Sequence, residues 1–332
     1  MCMFESIERI VVGHLPTPLE AAPGLSKELG VDLWIKRDDA TGLAGGGNKV
    51  RKLEYLVADA RARGANCLVT VGGPQSNHAR MTAALAARLG MSCRLYLKGE
   101  APRTLRGNLL LDKLLGAEVT FCGDADYPEI YQRIEADIAS LREQGLEGYM
   151  IPVGGSSPVG LMGYVRMITE ELVPQCAEQG VKPDALVVTA GSGGTLAGIL
   201  LGLEASGWDL PVQSYSVSYP AAELAEKTAQ LFNAGAKLLG MSAQRQGADI
   251  AIDEGHIGPG YGIATPGALE ALQLFARREG LLLDSVYTAK TAAGMIHDIR
   301  GGRWAGKTVI FVHTGGWPAL FAKDDVENFI RG

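Results

Sequence analysis

The chain has 332 residues, 47% of them hydrophobic, enough to bury the cores of one large domain or two ordinary lobes. Its 31 Lys and Arg against 37 Asp and Glu leave a formal charge of −6, which gives no chain-wide attraction to nucleic acid or to an anionic membrane. Partners are therefore expected to be small, polar or neutral molecules.

The opening MCMFESIERIVV carries Glu5 and Glu8 and lacks the basic start and apolar run of a signal peptide, and no apolar stretch reaches bilayer length. Cys2, Cys67, Cys93, Cys122 and Cys176 lie far apart with no CxxC pair, which fits reduced thiols of a cytoplasmic protein rather than disulfides or zinc ligands. Strands are predicted at 32–37, 67–71, 93–97, 118–122, 148–153, 185–190, 212–218, 281–287 and 308–314. Helices are predicted between them, over about 49–63, 79–89, 127–142, 161–172 and 265–277. In the first of these, Leu53, Leu56, Val57 and Ala60 recur at helical spacing and Gly64 supplies the stop. Strands alternating with helices imply mostly parallel sheets covered on both faces, and about nine strands exceed one sheet of ordinary size. The fold class is accordingly α/β in two lobes. Ligands of such sheets bind at the carboxyl ends of the strands, so the loops there are where chemistry is expected.

Four loops stand out. In Gly42–Gly47 the glycines precede Asn48 and Lys49, but Val50 stands where a phosphate-binding Walker loop needs a hydroxyl, so that motif is absent. What remains is either a solvated lysine at a helix start or an amine whose pKa is lowered by burial and by Arg51 and Lys52, able to attack an aldehyde. GGPQSNHAR, residues 72–80, turns from a strand into a helix at Ser76, Asn77 and His78, which reads as an N-cap or as a receptor for a carboxylate. TAGSGGTLAG, residues 189–198, lacks the third glycine and the ribose-binding acid of a dinucleotide site. Its Gly191, Ser192, Gly193, Gly194 and Thr195 instead form a nest suited to one phosphate. Two late strand ends bring Tyr287 and Thr288, and Thr314 and Gly315, to loop positions, while His313 sits in an apolar strand as a core histidine. No cluster has zinc spacing, so no metal is expected. A reactive lysine, a phosphate nest and a carboxylate receptor together fit pyridoxal 5′-phosphate. The rival readings are a nucleotide- or NAD-dependent enzyme and a non-catalytic ligand-binding protein.

GGGNKVRKLEYL, GGPQSNHAR, AGSGGTLAG, GPGYGI, LLLDSVYTAK and HTGGWPALF, in this order from about His14 to Phe321, resemble the 1-aminocyclopropane-1-carboxylate deaminase/D-cysteine desulfhydrase family. The resemblance implies a two-lobed fold type II pyridoxal-phosphate enzyme, similar to the tryptophan synthase β-subunit. It implies a large cofactor-binding domain of residues 1–52 plus 163–332 and a small α/β domain of residues 53–162. It also implies that Lys49 carries the cofactor, that Asn77 bonds its phenolic oxygen, and that Lys52 with the 191–195 loop holds its phosphate. By the same resemblance Ser76 meets the substrate carboxylate and Tyr287 stacks near the ring, while Asn77, His78, Tyr261 and Gly315 adjoin the substrate. Thr288 and Thr314 stand where deaminase members carry glutamate and leucine, which points to the desulfhydrase and cysteate sulfo-lyase branch. A neutral hydroxyl beside the ring nitrogen suits β-elimination of a good leaving group. The implied activity is a carbon–sulfur lyase converting D-cysteine to pyruvate, ammonia and hydrogen sulfide, with L-cysteate sulfo-lyase and 1-aminocyclopropane-1-carboxylate deaminase as alternatives. Tyr219 replaces the basic residue that the desulfhydrase pattern has after Val217-Ser218. A homodimer is expected, as relatives commonly form one.

Overall fold

Two parallel sheets, not one, organise the chain. In the computed structural model, which describes residues 7–322 and 324–331 and so leaves Cys2 and Glu5 outside, ten strands are formed. They are β1 (Leu19–Ala21), β2 (Asp32–Lys36), β3 (Cys67–Gly72), β4 (Ser92–Leu97), β5 (Glu118–Phe121), β6 (Gly148–Ile151), β7 (Ala185–Ala190), β8 (Val212–Ser216), β9 (Ile252–Asp253) and β10 (Thr308–Val312). One sheet has the order β1-β2-β10-β7-β8-β9 and is parallel except for β1, and the other has the order β5-β4-β3-β6 and is wholly parallel. The helices are α1 (Pro23–Leu29), α2 (Lys49–Ala62), α3 (Asn77–Leu89), α4 (Gly107–Leu114), α5 (Tyr127–Glu143), α6 (Pro158–Arg166), α7 (Val173–Gln179), α8 (Gly194–Ser206), α9 (Ala221–Leu238), α10 (Pro266–Glu279), α11 (Thr288–Arg300) and α12 (Asp325–Arg331).

Each sheet is apolar on both faces because successive side chains of a strand point opposite ways and both sides are covered by helices. Along β10, Ile310 and Val312 join one core cluster while Val309 and Phe311 join another. On β3, Leu68 faces one core, and Cys67, Val69 and Val71 face a second. Glycines end several helices in the left-handed conformation, as at Gly30, Gly90 and Gly180.

Two expectations are revised, and some elements were not expected at all. The run 281–287 is not a strand: the Asp284 carboxylate accepts from the backbone N–H groups of Val286, Tyr287 and Thr288 at 2.9–3.0 Å, so a turn that starts α11 replaces sheet pairing. Leu281 and Leu283 are buried and Leu282 is exposed, an alternation that imitates a strand. Next, the helix read over 161–172 is one part of a longer rod in which a π-helical stretch, Met167–Leu172, joins α6 to α7. Finally, the short β1 and β9 and the long α9 carry too little pattern or too much alanine to be read beforehand.

Candidate active site

Lys49 opens α2 from a glycine loop whose shape excludes side chains. Gly46 has φ of +73°, and a Cβ there would lie 1.8 Å from the Asp39 carbonyl oxygen. A Cβ on Gly315 would come within 2.7 Å of the Gly47 Cα, so the loop and the end of β10 touch backbone to backbone. Asn48 N–H donates to the Thr314 carbonyl at 3.0 Å. From α3, the Arg80 guanidinium donates to the carbonyls of Ala44 and Gly46. Thus the peptide that carries Lys49 is fastened on two sides. Burial lowers the Lys49 amine to about 8.

Arg51, expected to push that pKa down, is elsewhere. It is buried against Asp38 and Glu171, with ion-pair distances of 2.8 and 2.6 Å, and Lys36 joins Glu171 at 3.0 Å. Two cations and two carboxylates cancel within this cluster, so burial rather than Arg51 accounts for the Lys49 shift.

Lys52, one helical turn from Lys49, is fully buried and donates to the Gly154 carbonyl at 3.2 Å and to Ser156 Oγ at 3.5 Å. Among the described residues it has no carboxylate partner, and burial, then the charge of Lys49, push its pKa well below the ordinary lysine range. Beside it α8 begins, with Gly193 as N-cap at φ +81° and free backbone N–H groups. Ser156 and Ser192 hydroxyls meet at 2.8 Å, and Asn48 Nδ2 donates to Thr195 Oγ1 at 3.2 Å. A Cβ on Gly194 would stand 2.4 Å from Ser156 Oγ and 2.9 Å from Lys52 Nζ, so only glycine leaves this cradle open.

At the start of α3, Ser76 Oγ accepts from Ala79 N–H at 3.1 Å, the N-cap anticipated as one reading, and its own proton stays available to a ligand. Asn77 Oδ1 faces two donors, Asn108 Nδ2 at 2.8 Å and Arg80 Nη2 at 3.5 Å. Its oxygen is therefore the inner atom, and its Nδ2 is left to donate. Across the cavity the Tyr287 ring lies against Gly191, and its hydroxyl bonds that of Tyr261, with ring centroids 5.9 Å apart at 71°. Burial raises the Tyr287 pKa well above the phenol range, so this group is neutral at physiological pH.

These groups share one cavity of about 540 Å³, formed where the carboxyl ends of strands from both sheets converge. Lys49, Ser76, Asn77, His78, the Gly191–Gly193 turn, Thr195, Tyr261, Tyr287, Thr314 and Gly315 all line it. Lys52 and Gly194 stand behind the wall. Thr288 does not line it: its hydroxyl donates to Asp284 Oδ1 at 2.8 Å, so of the two expected threonines only Thr314 faces the cavity. His313 is buried in the core and its Nδ1 accepts from Gly315 N–H at 3.3 Å. The sequence reading missed Asn48, Lys98, Tyr127 and Gly154 on the wall and Ser156 behind it. Lys98 and Gly154 follow β4 and β6, so the rule that selects residues just past parallel strands contained them. Among the described residues, the lining holds two lysines and no carboxylate.

The profile of the pyridoxal-phosphate dependent enzymes matches residues 10–315. The chain belongs to this family. A D-cysteine desulfhydrase of Salmonella typhi is 44% identical over 318 residues, spanning 92% of this chain and 93% of that protein. The crystal structure of an ACC deaminase homologue superposes with a TM-score of 0.89 at 37% identity, covering 97% of this chain and 96% of that one. A fungal L-serine ammonia-lyase from Rhizomucor miehei, 19% identical with a TM-score of 0.67, shares the fold over 96% of this chain and 99% of its own. The enzyme is thus a fold type II pyridoxal-phosphate enzyme acting on an amino acid. The residues present fit the cofactor: a buried Lys52 without a counter-ion and a cradle that any Cβ would fill suit a phosphate, and an amine with pKa about 8 suits an aldehyde.

Proposed function

We propose that this enzyme is a carbon–sulfur lyase that converts D-cysteine and water to pyruvate, ammonia and hydrogen sulfide. The observation that carries the reading is a cavity with lysines but no carboxylate among the described residues, so that the balancing charges come from the ligands: a phosphate and an amino-acid carboxylate. The D-cysteine desulfhydrase of Salmonella typhi, 44% identical, supports the choice of D-cysteine. Bound pyridoxal phosphate supplies the sink for charge that develops at the substrate Cα. Among the described residues the wall carries no acid that would strengthen this sink, which favours expulsion of a good leaving group over the opening of an unactivated ring.

In this reading Lys49 Nζ would hold the cofactor's aldehyde carbon, and as a free amine it would take the Cα proton of the substrate. Lys52 and the 191–195 turn hold the phosphate, and Asn77 Nδ2 donates to the phenolic oxygen. Ser76 donates to the substrate carboxylate. Tyr287 covers the ring, Thr314 offers a neutral hydroxyl, and Tyr261 with Gly315 closes the substrate side. The large lobe is 1–52 plus 163–332 and the small lobe 53–162, supported by the placement of all four strands of the second sheet between Cys67 and Ile151. A homodimer is supported by exposed Leu110 and Leu114 on α4 and exposed Phe321 on the segment packed beside it. A cytoplasmic location is supported by four free, buried cysteines.

A second reading, L-cysteate sulfo-lyase, is favoured by one feature. Lys98 lines the cavity with its ammonium 5.2 Å from the centre of the Tyr127 ring and, among the described residues, no ion-pair partner. It offers a sulfonate the cation that a thiol does not need. Pyruvate formation from D-cysteine, L-cysteine, L-cysteate and aminocyclopropane carboxylate separates these readings. D-cysteine is expected to give the highest kcat/KM, and a Lys98→Gln enzyme should lose activity on L-cysteate at least tenfold more than on D-cysteine. No pyruvate from D-cysteine would sink the first reading.

A further inference from the structure

His78 lies in the first turn of α3, only 3% exposed, with its ring on the cavity wall. Its Nε2 is 3.0 Å from the Thr70 hydroxyl, and Thr70 is itself fully buried on β3. That hydroxyl has one proton, and it donates it to the Ile151 carbonyl at 2.8 Å, an oxygen that only accepts. Thr70 Oγ1 must therefore accept from His78, which places the imidazole proton on Nε2. Nδ1 is then a bare lone pair, and it is buried with no hydrogen-bond partner among the described residues. A buried acceptor left unpaired costs stability unless something arrives to fill it. Burial, and after it the charges of Lys49 and Lys52, push the ring well below the ordinary imidazole pKa, so the ring stays neutral and the acceptor stays bare.

We infer that His78 Nδ1 is the acceptor for the Lys49 ammonium when the incoming substrate displaces that lysine from the cofactor, and that Thr70 is the positioning residue that fixes the required tautomer. Both side chains line the same cavity, and Lys49 is the charge that acts most strongly on the ring. Its four-carbon stem lets the amine swing between cofactor and imidazole. The bond holds the proton taken from the substrate Cα on Lys49 Nζ, ready to be returned, without moving it to His78. The inference rests on Lys49 being the reacting amine and on nothing about which amino acid is cleaved.

The test uses the full chain, with and without cofactor. Labelling histidine with ¹⁵N separates bare from protonated ring nitrogens, and a His78→Gln sample identifies one residue among 5 histidines. His78 is expected to show a protonated Nε2 and an unprotonated Nδ1 in both states, the latter free to accept from the Lys49 ammonium. The second readout is the ionisation of Lys49 in the cofactor-free chain, from the pH dependence of its modification by trinitrobenzenesulfonate with peptide mapping. Lys98 and the phenols of Tyr127, Tyr219, Tyr261 and Tyr287 line the same space, Lys52 acts on the ring from behind the wall, and all are left unchanged in every variant. Thr70→Val releases the tautomer, and His78→Phe removes the acceptor. Either should move the Lys49 titration down by about one pH unit, because the ammonium loses a bond that favoured it. Thr70→Ser, which keeps both bonds, should restore it. A protonated Nδ1, or a Lys49 titration indifferent to both Thr70→Val and His78→Phe, overturns the inference. Neither readout involves turnover, so loss of the D-cysteine reading would leave it standing, and its own failure would leave that reading intact.

Discussion

Helix α2 has two kinds of buried cation one or two residues apart. Arg51 meets Asp38 and Glu171, and Lys36 completes the cluster with no surplus charge. Burial opposes ionisation of Asp38, yet Arg51 and Lys36 with the Tyr164 hydroxyl hold its carboxyl below the usual range. Lys49 and Lys52 turn the other way, toward a wall without carboxylates among the described residues, and their pKa values fall. The same burial thus leaves Asp38, Glu171 and Arg51 charged where counter-ions are supplied by the chain, although Lys36 among them is also lowered, and it weakens the charge of Lys49 and Lys52, whose counter-ions are left to a ligand. One face of the helix is scaffold and the other is chemistry.

The largest effect should come from deleting the reactive member of the second face. Lys49→Ala should lower pyruvate formation by about ten-thousandfold, and borohydride should no longer fix a pyridoxyl group to the chain. A fixed group mapping to another lysine would refute the assignment. On the first face, Arg51→Leu leaves Asp38 and Glu171 with Lys36 as their one cation among the described residues. We expect a loss of about 3–5 kcal/mol in urea unfolding, partly recovered when Glu171→Leu is added. An unchanged midpoint would show that the cluster is not what holds this helix. The sign with pH follows from the depressed carboxylates Asp38 and Glu171: their contribution is present above about pH 4 and is lost as pH falls through their folded-state values.

Lys52→Met sharpens the contrast because it should do the opposite. Removing a buried amine without a counter-ion should raise the stability of the cofactor-free chain by about 1 kcal/mol, read as a higher urea midpoint. The same change should weaken cofactor retention about tenfold to a hundredfold, measured by dialysis against a fluorescence titration. A destabilised cofactor-free chain would mean that the Gly154 and Ser156 contacts outweigh the burial of the charge.

Much of this was legible in the letters because parallel strands buried on both faces are nearly continuous apolar runs, and the loops after them hold the unusual residues. Lys49, Asn77 and the Gly191–Thr195 turn belong to such loops and reach one cavity. What was not legible depended on where side chains go after the backbone has turned. Arg51 reads as a cation beside Lys49, but 100° of helical rotation per residue takes it to Glu171, 120 positions away. Thr288 reads as a site hydroxyl, yet Asp284, four residues back, claims it as part of a helix cap. Lys98 gave no local signal, because a single lysine after a strand is ordinary until Tyr127 and the other strand ends are seen around it.

The pH behaviour of Lys49 decides between two explanations of its reactivity. If neighbouring cations set its pKa, neutralising one should raise it; if burial sets it, the change should do nothing. The structure favours burial, since Arg51 is cancelled by its carboxylates and Lys52 is itself driven toward the neutral amine. Burial is also the one cause that lowers the Lys49 amine. The rate at which the cofactor-free chain captures pyridoxal phosphate should rise with pH and level off above about 8, being about tenfold below its plateau at pH 7. In Lys52→Met that midpoint should stay within about 0.3 units of wild type, although capture is weaker at every pH. A midpoint displaced upward by a full unit would return Lys52 to the role of a charged neighbour. The two faces of α2 would then differ only in degree.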